Sequence, residues 1–184
     1  MKLVFDTCVL FPTVMREVLL AGANVGGWTP LWSDRILEEW ARAARKIGPT
    51  GELQARSEIA LLKAAWPAQA VGWNASLEKR LWLPDANDIH VLAAAVSSSA
   101  DLIVTVNVKD FPRATLREEG VDRIDPDALL YDLALRAPEA LHDQLSAIRQ
   151  QASDMAGEDL SLKVLLQKAR LPRLAKKMAA LKFD

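Results

Sequence analysis

A chain of 184 residues, 51% hydrophobic and 26% charged, has the make-up of one globular domain with room for an appendage, not of a disordered segment. Its formal net charge of −1 excludes a protein that coats nucleic acid by bulk charge, and leaves room only for a local basic groove. The single cysteine, Cys8, excludes an internal disulfide, and no Cys/His set has the spacing of a zinc site.

The first segment, Lys2 to Phe5, is an apolar, partly β-branched run that ends on Asp6. It reads as a buried strand with the carboxylate at its C-terminal end. Three apolar residues before a charge are too few for a signal-peptide core, and no run approaches the roughly 18 apolar residues of a membrane helix. The expectation is a soluble, cytoplasmic protein. A helix is expected from about Thr13 to Ala21, with Val14, Val18 and Leu19 inward, and Gly22, Gly26 and Gly27 mark a turn after it.

Leu31-Trp32 suggests a second brief strand. Ser33 is a good N-cap for the next helix, whose apolar stripe is Ile36, Leu37, Trp40, Ala44 and Ile47, and Gly48-Pro49 stops it. A further helix, about Gly51 to Trp66, offers Leu53, Ile59, Leu62 and Trp66 to the core, and Pro67 ends it. Pro84 introduces Asp85-Ala-Asn-Asp88, after which the alanine-rich run Ile89 to Val96 reads as a buried helix. Leu-Ile-Val-Thr-Val at 102–106 is the clearest strand, Ile124-Asp-Pro126 suggests one more, and a helix follows from Asp127 to Leu135.

Strands alternating with helices argue for a short parallel sheet flanked by helices, an α/β chain. The pattern predicts a main domain over 1–137 and a helical C-terminal extension over 138–184, packed on the domain or on a partner. The stretch from Lys163 to Lys182 holds seven basic residues and no acidic one.

Ligands of open parallel sheets collect beyond the carboxyl ends of the strands. Asp6 ends the first strand, and Thr105, Asn107 and Asp110 lie at or just past the end of another. Asp85 and Asp88 stand at i, i+3 and share one face of a helix start. Carboxylates gathered in this way repel one another unless a cation joins them, and oxygen donors without cysteine or histidine suit magnesium or manganese. Each acid has a plainer reading too. Asp6, Asp85 and Asp88 are residues that cap or begin helices. Glu38 and Glu39 are the sort of glutamates found on any helix surface; Glu39 lies nearer the edge defined by Ile36, Trp40 and Ala43, by a small margin.

Taken together, Leu3-Val-Phe-Asp6-Thr7, Ser33-Asp-Arg-Ile-Leu-Glu-Glu39-Trp, Pro84-Asp-Ala-Asn-Asp88-Ile-His-Val-Leu-Ala-Ala and Ile103-Val-Thr105-Val-Asn107-Val-Lys-Asp110-Phe-Pro resemble the PIN-domain family, particularly the bacterial toxins called VapC. Order and spacing agree over roughly 1–135. The resemblance implies a three-layer α/β/α fold and a metal-dependent endoribonuclease, the toxin of a toxin–antitoxin pair, using Mg2+ or Mn2+. Asp6, Glu39 and Asp88 match the family's three main acids. Its fourth position is often aspartate or asparagine and is Asn107 here, with Asp110 three residues on as a source of the missing charge. Thr7 and Thr105 are then groups that orient a carboxylate or a water. Asp85 is either an auxiliary ligand or a cap, the cap being favoured. The resemblance also implies a homodimer, an RNA substrate, and a small antitoxin that wraps the toxin and inserts a basic side chain into the acidic site.

All six tryptophans fall between Trp28 and Trp82, where helix or dimer packing is favoured over base stacking. Leu165, Leu166, Leu171, Leu174, Met178 and Leu181 give the basic tail an apolar docking face; its charges are solvated or reach RNA phosphates. His90 reads as neutral packing, with no second histidine near enough for a metal pair. Two competing functions remain. One is a catalytically weak PIN-like module that binds RNA or protein. The other is an aspartate-based phosphotransfer or receiver domain, for which Asp6 lacks an acidic neighbour and Cys8 stands where a phosphatase needs a second aspartate.

Overall fold

The computed structural model describes residues 1–72 and 75–181. Along the chain run β1 (Lys2–Phe5), α1 (Thr7–Leu10), α2 (Thr13–Gly26), β2 (Thr29–Leu31), α3 (Asp34–Ala43), α4 (Gly51–Ala65), α5 (Ala75–Arg80), α6 (Ile89–Ser97), β3 (Leu102–Val104), α7 (Arg113–Glu118), β4 (Asp122–Ile124), α8 (Pro126–Arg136), α9 (Pro138–Ala156), α10 (Leu162–Lys168) and α11 (Pro172–Ala180). The chain divides into two compact units. One is Met1–Phe11 with Thr29–Ile124, the other Pro12–Trp28 with Asp125–Asp184.

The first unit is built on a parallel sheet in the order β2-β1-β3-β4. Leu3 pairs with Pro30 on one side and Leu102 on the other, and Leu102 pairs with Asp122. The two middle strands carry unbroken apolar runs because both of their faces are covered: Leu3, Val4, Phe5, Ile103 and Val104 are fully buried. Strand β4 is different. Its Asp-Arg-Ile is only half-buried, and Arg113 and Arg117 of α7 both bind Asp122, so charge blunts this edge. Short parallel strands alternating with helices are the α/β/α class expected from the sequence.

Ser33 caps α3 as expected, its hydroxyl accepting from the Ile36 N–H at 3.2 Å. Ile36, Leu37, Trp40 and Ala44 are buried, but Ile47 is 72% exposed. The α-helix ends at Ala43, and a tighter 3-10 turn over Ala44–Ile47 turns Ile47 off the stripe. In α4 Leu62 is buried as expected and Ile59 and Trp66 are half-buried, but Leu53 is 70% exposed and Ala55 buries instead. Helix α6 is apolar on nearly every side, and His90 through Ala95 are all buried. The strand expected over 102–106 pairs only as far as Val104, which places Thr105 beyond the ladder.

The second unit holds α2 and α8 to α11. Helix α2 runs past the turn expected at Gly22 and Gly26 and ends at Gly27, whose positive φ of 61° makes the left-handed cap. Gly22 stays helical because a neighbour needs the space: a Cβ there would lie 2.7 Å from Leu130 Cδ2. Leu165, Leu166, Leu171, Leu174 and Met178 are buried, as their spacing predicts. Buried Asp127 accepts from the N–H groups of Arg173 and Leu174, at 2.8 and 2.9 Å, and so starts α11. Trp28, Trp32 and Trp40 are buried and Trp82 is exposed; Trp73 and Lys182 lie outside the described residues. No described helix is long and apolar enough to cross a membrane.

Candidate active site

The sheet's carboxyl end sets the first two positions. Asp6 N–H donates to the Val104 carbonyl and Thr105 N–H to the Ile124 carbonyl, so both residues sit one step past their strands, side by side. Asp6 stands at the start of α1, yet its side chain makes no capping bond. Instead Asp6 Oδ2 accepts from Thr105 Oγ1 at 2.7 Å and from Cys8 Sγ at 2.8 Å. Buried Asp6 is tied into a polar network and leaves the helix end uncapped.

Asp88 tells the same story. It stands at the N-cap of α6 with no side-chain capping bond, and its Oδ2 accepts from Asn107 Nδ2 at 3.0 Å. The Asn107 N–H in turn donates to Thr105 Oγ1 at 2.9 Å. Asp6, Thr105, Asn107 and Asp88 are thereby linked bond by bond. Asp85 does cap, accepting from the N–H and the side-chain amide of Asn87.

The structure separates Glu38 from Glu39. Glu38 points to the outside, where Arg56 and Arg42 hold its carboxyl down to about 2. Glu39 turns inward. Thr7 Oγ1 donates to its Oε2 at 3.0 Å and His90 Nε2 lies 2.8 Å from its Oε1. Burial works against its ionised form, but the His90 and Thr7 bonds, with the charge of Arg35, outweigh that and hold the carboxyl below its usual range.

Asp88 goes the other way. Burial, then the charges of Asp6, Asp85, Asp110 and Glu39, push its carboxyl from 3.8 up to about 6. One carboxylate oxygen each from Asp85, Asp88 and Asp110 lie within 4.8 Å of one another. Asp88, Asp110 and Asp85 thus form the tight group, while Asp6 and Glu39 act on Asp88 through their charge. A half-buried group of acids that raises the pKa of its central member is one that a divalent cation relieves, and the all-oxygen donors fit magnesium or manganese.

Two neighbours of the acids escaped sequence reasoning. His90 meets a glutamate 51 positions away, and no spacing rule exposes that contact. Cys8 lies two residues after Asp6, a visible spacing, but a thiol there carries no recognisable chemistry by itself. Its bond to Asp6 and its burial push the thiol up to about 12, burial being the larger cause, so it serves as a neutral donor.

The PIN domain family matches residues 2–109, and the chain belongs to it. That span contains Asp6, Glu39 and Asp88, and ends just before Asp110. The chain is also similar to a protein of Mycobacterium tuberculosis (strain ATCC 25618 / H37Rv) named "Putative ribonuclease VapC50", with 47% identity over 45 residues. That match covers 24% of this chain and 27% of the relative's length. No solved structure matches.

Proposed function

We propose that the chain is a divalent-cation-dependent endoribonuclease, the toxin of a toxin–antitoxin pair acting in the cytoplasm. The observation that carries this reading is the meeting of carboxylate oxygens from Asp85, Asp88 and Asp110 within 4.8 Å, where burial, and then the charges of Asp6, Asp85, Asp110 and Glu39, push the Asp88 carboxyl up to about 6. Family membership and the name of the mycobacterial relative support the choice of a nuclease acting on RNA.

Asp88 and Asp110, with Asp6 and Glu39, would hold magnesium or manganese. When bound, such an ion supplies an activated water for in-line attack on a phosphodiester and offsets charge on the leaving oxygen. The chain's own residues prepare the place. Thr105 and Cys8 fix Asp6, Asn107 fixes Asp88, and Thr7 with His90 fixes Glu39, so these three acids are oriented before anything binds. The clustered negative charge also suits neutralisation by a basic side chain of a cognate antitoxin. A homodimer belongs to the same reading.

An asparagine at 107 in place of an acid would favour the non-cutting alternative. Asp110, one of the tight oxygen group, restores that charge and favours catalysis. The test is incubation of purified protein with RNA and Mg2+ or Mn2+, beside Asp6→Asn and Asp88→Asn. The expected result is cleavage that chelation and either substitution abolish. Equal cutting by wild type and both variants defeats the assignment, because the activity would then come from a contaminant.

A further inference from the structure

His90 is fully buried, and its two ring nitrogens have unequal surroundings. Nε2 lies 2.8 Å from Glu39 Oε1, whereas Nδ1 is buried with no hydrogen-bond partner. A buried N–H without an acceptor costs more than a buried lone pair on a neutral ring, and a carboxylate can only accept. The proton therefore belongs on Nε2 and the ring donates to Glu39. Were the ring only packing, any apolar side chain of its volume would fill the space without burying an unpaired nitrogen.

From this geometry we infer that His90 is a positioning residue, whose Nε2–H clamps Glu39 Oε1 while the Thr7 hydroxyl holds Oε2. Each Glu39 oxygen then carries one protein donor and keeps a lone pair for a cation or water. The clamp joins α6 to α3. It also places two duties in one short segment, since Asp88 lies two residues before His90 and the same turn supplies an acid and fixes another. Glutamate has three side-chain torsions, and an unheld Glu39 would leave the acid group for solvent much of the time. The inference deepens the proposed nuclease reading and rests on it for its functional consequence, but the hydrogen bond itself does not.

Two measurements on the full chain separate these. In metal-free protein, imidazole nitrogen NMR should show His90 protonated at Nε2, with a coupling across the bond to Glu39; a ring protonated at Nδ1 alone overturns the clamp. Mn2+ alone, titrated against the protein and followed by the EPR signal of the free ion, should bind about tenfold or more weakly to His90→Leu than to wild type. His90→Gln, whose amide can reach the same oxygen, should recover much of the loss. Equal Mn2+ affinity in all three overturns the role. If His90→Leu does not fold, His90→Asn, whose shorter amide cannot reach Glu39 Oε1 as the Gln amide can, takes its place: weaker Mn2+ binding by the Asn variant than by His90→Gln supports the role, and equal binding by both and wild type overturns it. A wild type that binds no Mn2+ and cuts no RNA defeats the nuclease reading together with the positioning role, and leaves only the NMR result to stand as structure.

Discussion

Asn107 donates its side-chain amide to Asp88 Oδ2 at 3.0 Å. The amide satisfies Asp88 without adding charge to a site that already raises the pKa of that residue. Asn107→Asp should therefore have opposite effects with and without a cation. Metal-free protein should melt lower at pH 8 than wild type, by a few degrees, because another carboxylate joins the group. Mn2+ should recover that loss and bind more tightly. Thermal melts with chelator and with Mn2+ check both; an unchanged metal-free melting temperature would mean that Asp88 and residue 107 are not coupled.

Asp88 ties stability to pH. Its folded pKa of about 6 lies above the ordinary value of 3.8, so between those two values the folded chain holds a proton that the unfolded chain has lost. Metal-free stability should therefore fall as pH rises from about 4 through 6, and level off above that. Asp88 is half-exposed, and solvent screening reduces the effect to about 1 kcal/mol, or roughly 2–4 °C. Asp88→Asn should remove this dependence and melt higher than wild type at pH 8 in chelator. Parallel pH–melting curves for the two proteins would sink the idea.

Thr105 is almost fully buried and serves three neighbours: it donates to Asp6, accepts from the Asn107 N–H, and lies 3.3 Å from Cys8 Sγ. Thr105→Val keeps the shape and strips the hydroxyl, leaving Asp6 and the Asn107 N–H short of a partner. Urea unfolding should show a loss of about 1–3 kcal/mol. Thr105→Ser should lose less.

Helix α4 allows a check on packing. Leu62 is 6% exposed and Leu53 70% exposed, although both are leucines on one helix. Leu62→Ala should destabilise by about 2–5 kcal/mol, and Leu53→Ala should stay within about 0.5 kcal/mol. Chemical denaturation of the two variants compares them directly. Equal losses would place Leu53 in a contact that the monomer does not show.

Much of this architecture is written in local patterns. An apolar run ending on Asp6, the Ser33 cap and the alanine-rich α6 each state their structure in a few neighbouring residues, and the acids fall at strand ends and helix starts where parallel sheets place ligands. What stayed hidden depends on tertiary partners. Gly22 reads as a turn because nothing nearby reveals that Leu130 needs its missing Cβ. Leu53 reads as core because one helix period cannot say which face meets α3. Glu38 and Glu39 are nearly equal on a helical projection, and only Arg42 and Arg56 on one side, against Thr7 and His90 on the other, tell them apart.

The stretch from Thr105 to Asn107 grips Asp6 through a hydroxyl and Asp88 through an amide, so three consecutive residues act as a ruler between acids 82 positions apart. Their spacing is set by the loop and not by whatever lies between them. A ligand arriving there finds its seat already cut, and little of its binding free energy is drawn off in rearranging the walls.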